Sequence, residues 1–161
     1  MHDPLVTYLH DHLAGANFAV ELLQRLSDAY PRHETGLFAA EILVDVEADR
    51  EILKEIIQRV GTSPLELKDV MAWLGEKASR PKFSDTQPDG LGPFEALETL
   101  ALGITGKLSL WHTLSSVGAF DQRLSEWDFA SLAARAEDQR ARVDEYRLSI
   151  TPAAFAILAM D

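Results

Sequence analysis

The sequence predicts an all-α protein built around four long helices, and three observations lead to this prediction. Apolar residues recur at steps of three and four over four long stretches, as expected for helices that bury one face. Signals for helix starts and stops bound each stretch. Nowhere does a segment combine strict apolar alternation with the β-branched residues that strands favour. With 161 residues, 47% of them hydrophobic, the chain has enough apolar material for one domain, residues 1–161.

Two helices are predicted in the first part of the chain. Asp3, followed by a proline, is a good N-cap, and the apolar pattern then continues to about Ala29. Tyr30 also precedes a proline, which disfavours helical geometry at the tyrosine, so we expect a tight turn there. The second helix is predicted to begin between residues 31 and 35 and to end just before Gly61.

A long connection, residues 61–92, separates the second helix from the third. It contains a capping box, Ser63-Pro64-Leu65-Glu66, which predicts a short helix through about Ala78. A connection with its own helix is long enough to travel the length of a bundle. The second and third helices are therefore free to run parallel rather than as a hairpin.

Two further long helices follow the connection. The third is predicted to open at Gly92-Pro93 and to end at Gly118. Another capping box, Ser125-Glu126-Trp127-Asp128, predicts the start of the fourth helix, which continues to about Ser149. A short and almost wholly apolar terminal helix is predicted over residues 151–161.

Composition excludes several classes of function. The net charge of −11 argues against a nucleic-acid partner, because phosphate binding needs a basic surface, and against docking on an anionic membrane. The chain has no cysteine, so it forms no disulfide and offers no thiolate ligand or thiol nucleophile. It shows neither a signal peptide nor an apolar run near the ~20 residues that a membrane span needs. We therefore expect a cytoplasmic protein with no membrane partner.

Two arginines interrupt the apolar rows of the second and fourth helices. Residues three and four apart share a helix face, and Arg50 and Arg140 each fall where that spacing calls for an apolar side chain. A charge in a core row is costly unless it is paired and hydrogen-bonded, so we expect each arginine to meet carboxylates from other helices. The alternative is that both side chains extend along a wide helix face into solvent.

Each predicted long helix also carries an acid near its middle: Glu21, Glu47, Glu98 and Glu137. Their order along the chain is Glu, then Glu-x-x-Arg, a long connection, Glu, then Glu-x-x-Arg. This order resembles the ferritin-like superfamily, whose carboxylate bundles place Glu on two helices and Glu-x-x-His on the other two. Here each His is replaced by Arg. The stretches Leu9–Gly15 and Gly103–Lys107 are similar to those of uncharacterised bacterial ferritin-like proteins.

The resemblance implies a ferritin-like four-helix bundle, up-down-down-up, with a helical crossover between the second and third helices. It implies no activity, because a guanidinium has no lone pair with which to ligate iron. We expect a buried salt-bridge cluster in place of the metal centre, with no catalytic residue, bound metal or cofactor. Its members would be Glu21, Glu47, Arg50, Glu98, Glu137 and Arg140. These sum to −2, and Lys107 or Arg147 could supply a further cation.

Two functions remain open from the sequence. One is a non-catalytic ferritin-like protein that acts through self-association or a protein partner, with its charges either buried as a cluster or lining a solvated groove. The other is an oxidoreductase or metal-handling protein that binds iron or manganese through the four Glu side chains. The apolar tail, residues 153–160, would be poorly tolerated in water, so we expect a homodimer that covers it. His10, His12, His33 and His112 are predicted to be surface or capping residues.

Overall fold

The computed structural model describes residues 3–61 and 87–157, and these contain helices and turns but no strand. The all-α prediction is therefore confirmed for the described part of the chain. The long helices are α1 (Pro4–Ala29), α2 (Glu34–Val60), α3 (Leu91–Gly118) and α4 (Phe129–Ser149). A short 3-10 turn (Gln122–Leu124) precedes α4, and a one-turn helix, α5 (Thr151–Ala154), follows it.

The predicted ends of α1 and α2 are confirmed by their capping contacts. Asp3 accepts a hydrogen bond from the backbone N–H of Leu5 at 2.9 Å. His33 caps α2 through Nδ1, which accepts from the N–H of Thr35 at 3.1 Å. Gly61 ends α2 with φ of 101°, a left-handed conformation that glycine adopts without strain.

The turn between α1 and α2 requires a glycine for a different reason. A Cβ atom added to Gly36 would lie 1.8 Å from the carbonyl oxygen of Tyr30. The first turn of α2 therefore packs directly under the backbone that ends α1. This close approach holds the two helices in an antiparallel hairpin.

The starts and ends of the later elements differ in part from the predictions. α4 begins at Phe129, not after Ser125, because the Asp128 carboxylate accepts the Ser131 N–H at 3.1 Å and so supplies the N-cap. α3 begins at Leu91, slightly before the predicted Gly92-Pro93. The terminal helix predicted over residues 151–161 stops at Ala154, and Ala156 has a positive φ of 50°. The crossover helix predicted over residues 63–78 and the tail beyond residue 157 lie outside the described residues.

Contacts between side chains establish the helix directions. α1 and α2 form one antiparallel pair, because Arg50 bonds Asn17 and Gly36 packs on Tyr30. α3 and α4 form another, because Lys107 bonds Gln139 and Arg147 bonds Glu98. Between the pairs, Asp49 contacts Gln139 whereas Asp45 contacts Arg142, so rising numbers on α4 meet falling numbers on α2. α2 and α4 are therefore antiparallel as well. It follows that α2 and α3 point in the same direction.

The contacts between the two helix pairs are apolar between α1 and α3 and polar between α2 and α4. α1 packs closely on α3 within the apolar core, whose largest fully buried side chain is Trp111. α2 and α4 are joined by longer polar side chains: Arg142 donates to Asp45 at 3.0 Å and also to Glu41, and the hydroxyls of Thr35 and Tyr146 are 2.8 Å apart. Among the described helices, none is both long and apolar enough to cross a bilayer.

Candidate functional site

One polar residue interrupts the buried row on each of three helices. On α2 it is Asp49, only 2% exposed, and on α4 it is the fully buried Gln139. On α3 it is Lys107, whose side chain is 15% exposed. The buried rows are Ala39, Ile42, Val46, Asp49, Leu53, Ile56 and Val60 on α2, Leu97, Leu100, Ile104, Lys107, Trp111 and Leu114 on α3, and Phe129, Ala133, Ala136, Gln139 and Val143 on α4.

These three residues meet at one level of the structure and are joined there by Arg135. The Lys107 Nζ donates to Asp49 Oδ2 at 2.5 Å and also to the Gln139 side-chain oxygen. The Gln139 Nε2 donates to Asp49 Oδ2 at 3.0 Å, and Arg135 donates to the other carboxylate oxygen. We call Asp49, Lys107, Arg135 and Gln139 the polar cluster. Its only carboxylate accepts three hydrogen bonds, two of them from cations.

Burial sets the electrostatics of the cluster. Removal from water lowers the pKa of Lys107, and the nearby Arg135 guanidinium lowers it further, while the charge and hydrogen bond of Asp49 act in the opposite direction. A buried ammonium is stable only when paired, so Asp49 is what permits Lys107 to occupy the core. Arg135 reaches the cluster from the surface, and its side chain is 41% exposed.

The structure does not bring together the six residues that the sequence singled out. Arg50 donates to Asn17 of α1 at 3.2 Å, and its nearest carboxylate is that of its neighbour Glu51, 3.7 Å from Nε. Arg140 is 47% exposed and lies 3.7 Å from Asp144 on its own helix. Within the described ranges, neither arginine meets a Glu from another helix, so that prediction is wrong.

The four Glu side chains are also dispersed. Glu21 pairs with Arg25 on its own helix at 2.7 Å, and Glu98 pairs with Arg147 of α4 at 3.4 Å. Glu47 is half-buried and Glu137 is exposed. The physical reason is a rotation of α2 and α4 by less than one residue step (~100°), because the predicted and the buried rows share residues such as Val46, Leu53, Ala136 and Val143. That rotation turns Asp49 and Gln139 inward and moves Arg50 and Arg140 toward the flank.

The residues at this level do not fit a metal centre. In the described part of the chain, no group of three or more His, Asp or Glu side chains is placed to hold one ion. The polar cluster offers a single carboxylate, already bonded to two cations. A divalent metal needs several oxygen or nitrogen donors with free lone pairs, and an ammonium beside them opposes its charge.

A pocket of about 80 Å³ lies beside the cluster, where α1, α2 and α3 meet. Asp49 and Lys107 form part of its wall, together with Arg50. The other lining residues are His12, Gly15, Ala16, Ala19, Val46, Leu53, Gly103, Ile104, Leu110 and Trp111. Burial lowers the pKa of His12, although the charge of Asp11 opposes this shift. The shift favours the neutral imidazole.

Two of the residues that line this pocket each have a buried nitrogen atom without a hydrogen-bond partner among the described residues. These atoms are Nε of Arg50 and Nε1 of Trp111, and both are N–H donors. Buried donors are nearly always paired with protein or with bound molecules. The sequence predicted the importance of Arg50 but not that of Trp111 or of the pocket.

The buried polar residues could have been found from the sequence by following a different row of apolar positions along each helix. The spacing 42, 46, 49, 53, 56, 60 on α2 is as apolar as the row through Arg50, and it contains Asp49. The same alternation of fours and threes on α3, 97, 100, 104, 107, 111, 114, contains Lys107. A search for one polar residue in each apolar row would have selected Asp49 and Lys107, but it would also have selected Arg50.

Comparisons with known proteins leave the geometry as the basis for a functional proposal. The chain matches no family model, no curated protein and no solved structure.

Proposed function

We propose that this chain is a non-catalytic ferritin-like bundle in which the polar cluster takes the place of a metal centre, and that it acts by binding rather than by turnover. The observation that carries the proposal is the ion pair between Lys107 and Asp49, with 2.5 Å between Nζ and Oδ2, in the core between α2, α3 and α4. An ammonium fixed at this position supplies the positive charge that metal ions supply in carboxylate bundles.

The helix directions support the ferritin-like assignment. Ferritin-like bundles have one long crossover, and the resemblance implies an up-down-down-up order of helices. α2 and α3 point in the same direction, and residues 62–86 connect them, which is the topology expected of such a crossover. The Glu and Glu-x-x-Arg order in the sequence is the resemblance from which this assignment began, although the structure disperses those side chains.

The chemistry of the cluster favours binding over metal catalysis. The carboxylate of Asp49 accepts from Lys107, Gln139 and Arg135, so a metal ion would have to displace two cations to reach it. The alternative function, iron or manganese chemistry at the four Glu side chains, would need them to converge. Glu21 and Glu98 are instead ion-paired with arginines at partly exposed sites.

The test is metal content and ferrous-iron oxidation. The purified protein should contain far less than one iron or manganese per chain, and it should oxidise ferrous iron under air no faster than buffer does. A variant with Gln at Glu21, Glu47, Glu98 and Glu137 is the matched control and should give the same values. Two bound metal ions per chain, or oxidation that the Gln variant loses, would show that the metal function is correct.

We further propose that the chain forms a homodimer in the cytoplasm. The support for self-association is apolar surface near the end of the described chain. Phe155 and Ile157 are 53% and 60% exposed, although the Phe155 ring contacts Phe94 at 5.2 Å between centroids. Leu148 on α4 is exposed as well. A second copy would remove such side chains from water.

A further inference from the structure

We propose that two copies of this chain associate through the side of the bundle formed by α1 and α3, with Leu102 of each copy inserted into the pocket of the other. We call this side the neutral face. It comprises the exposed residues among positions 99–118 of α3 and the pocket-lining residues His12, Gly15, Ala16 and Ala19 of α1. The inference rests on the proposed self-association, and it names the surface that carries it.

The neutral face exposes no Asp, Glu, Lys or Arg side chain. Lys107 is the only such residue among positions 99–118, and its ammonium is held in the core by Asp49. Residues 12–19 of α1 contain none, and burial lowers the pKa of His12, which favours its neutral form. Because 25% of all residues in the chain are charged, this side of the bundle departs clearly from the average.

The outer surfaces of the other two long helices carry exposed acids. α2 exposes Glu41, Glu51 and Glu55, and α4 exposes Glu137 and Glu145. Two copies of a chain with net charge −11 repel each other wherever such residues meet. On the neutral face, two copies can approach without opposing like charges.

The neutral face carries both an exposed apolar side chain and the opening of an apolar pocket. Leu102 is 69% exposed near the middle of α3. The neighbouring Gly103 lines the pocket and is itself exposed, as is Gly15 on α1, so the pocket opens to the surface between these two glycines. A leucine left in water at such a position is an unfavourable arrangement that association would relieve.

The interior of the pocket suits an aliphatic side chain. The ammonium of Lys107 is bonded to Asp49, and the guanidinium of Arg50 is bonded to Asn17, so the charged groups of the lining residues already have partners. Leu53 and Ile104 supply apolar wall. The volume of about 80 Å³ is roughly half of the ~150 Å³ of an engineered cavity that binds benzene, which matches the four carbon atoms of a leucine side chain.

An apolar side chain and an apolar pocket on one face specify a second copy of this chain as the partner. Under two-fold symmetry each insertion of Leu102 is accompanied by the reciprocal one, so every contact is made twice. An axis that crosses α3 near its middle places the α3 helices of the two copies antiparallel. The N-terminal end of one α3, where Phe155 contacts Phe94, then lies level with the uncharged C-terminal half of the other. The exposed tail and the neutral face can therefore form parts of one interface.

The first experiment measures the dissociation constant of the dimer by sedimentation equilibrium, for the full chain and for two variants that add the same charge. Leu102→Glu would place a carboxylate in the apolar pocket of each partner, where it loses its hydration, so the dissociation constant should rise at least ~100-fold. Val44→Glu adds its carboxylate at a valine of α2 that is 67% exposed and lies outside the neutral face, and it should leave the constant unchanged. Thermal unfolding checks that both variants are folded.

A second experiment locates the interface without a destabilising charge, and it decides if Leu102→Glu does not fold. The chain has no cysteine, so Ser109→Cys provides a single thiol on the neutral face for a nitroxide label. Labelled chains are mixed with unlabelled chains that carry ¹⁵N. The amide signals of residues 99–109 and 12–19 of the ¹⁵N copy should broaden, because the nitroxide lies in the facing copy. A nitroxide at Val44→Cys should not broaden them.

The outcomes separate this inference from the proposed self-association. A dimer that dissociates in Leu102→Glu but not in Val44→Glu supports the neutral face. A dimer that persists in Leu102→Glu, or that is weakened equally by both variants, overturns the inference while the homodimer stands. Broadening confined to residues outside the neutral face overturns it in the same way. A chain that is monomeric at every concentration overturns both the homodimer and its interface.

Discussion

The Nζ atom of Lys107 and the Oδ2 atom of Asp49 lie 2.5 Å apart, although the two residues are 58 positions apart in the chain. Their helices, α3 and α2, belong to different antiparallel pairs. Asp49 is almost inaccessible to water and accepts hydrogen bonds from both Lys107 and Arg135, so its charge is paired within the protein rather than with solvent. Removal of one charge of this pair should therefore lower the free energy of unfolding more than removal of a charge at a solvent-exposed ion pair.

We expect Asp49→Asn to lower the free energy of unfolding by about 3–5 kcal/mol, because it leaves a buried ammonium without its counter-charge. Urea denaturation at neutral pH measures this loss. Asp45→Asn is the control on the same helix, since Asp45 pairs with Arg142 at a more exposed site, and it should cost at most ~1 kcal/mol. Equal losses for the two variants would mean that the Asp49 site is solvated.

The stability of the protein should rise with pH in the alkaline range because of Lys107. Burial lowers the pKa of this side chain in the folded state, whereas a lysine in the unfolded chain titrates near ~10.4. Between these two values the unfolded state binds more protons, so the free energy of unfolding increases with pH, by at most ~1.4 kcal/mol per pH unit. Urea titrations of the wild type and of Lys107→Met, up to about pH 10, should diverge accordingly. If the free energies of unfolding of the two proteins changed with pH in parallel, a lowered pKa of Lys107 would be contradicted.

Arg140→Ala should change stability by no more than ~0.5 kcal/mol, because the side chain is about half exposed and its ion pair at 3.7 Å is with its own helix. Arg142→Ala should cost more, since Arg142 joins α4 to both Asp45 and Glu41 of α2. Chemical denaturation of the two variants side by side provides the comparison. A loss of several kcal/mol for Arg140→Ala would instead support the buried salt-bridge cluster inferred from the sequence.

Gly36→Ala should destabilise the protein by about 1–3 kcal/mol, because the added methyl group would overlap the Tyr30 carbonyl and force the turn between α1 and α2 apart. Gly106→Ala is the matched control. Its Cβ meets no atom within 4 Å, so the gain in helix propensity should stabilise the protein by up to ~1 kcal/mol. Thermal unfolding should therefore shift in opposite directions for the two variants.

Deletion of residues 152–161 should convert the proposed homodimer to a monomer, since it removes the exposed side chains of Phe155 and Ile157. Sedimentation or light scattering gives the solution mass of both chains. An unchanged mass together with an unchanged unfolding midpoint would show that the tail plays no part in self-association.

Local signals predicted the helices better than they predicted the site. Asp3 and Gly61 lie at the helix ends expected of them, because capping depends on residues close in sequence. The start of α4 was wrong because two acceptable caps, Ser125 and Asp128, stand three residues apart. Only packing against the rest of the structure chooses between such neighbours.

The buried polar residue of α2 is Asp49, one position before the predicted Arg50, for a related reason. The apolar face of α2 is wide, with isoleucine at both position 56 and position 57, so rows through Arg50 and through Asp49 look equally apolar. Which row faces inward depends on the rotation of the helix against its neighbours. In the structure that rotation brings Asp49 to Lys107, a contact between helices that no periodicity within α2 encodes.

The meeting of Asp49, Lys107 and Gln139 at one level also fixes how far the helices are shifted along their axes. Rows of leucine, isoleucine and valine would pack almost equally well after a slide of one turn. With this layer present, such a slide would place apolar side chains against a buried carboxylate and a buried ammonium and leave both without partners. Replacing all three residues by leucine should thus give a more stable bundle whose helices have lost the contact that defines their alignment.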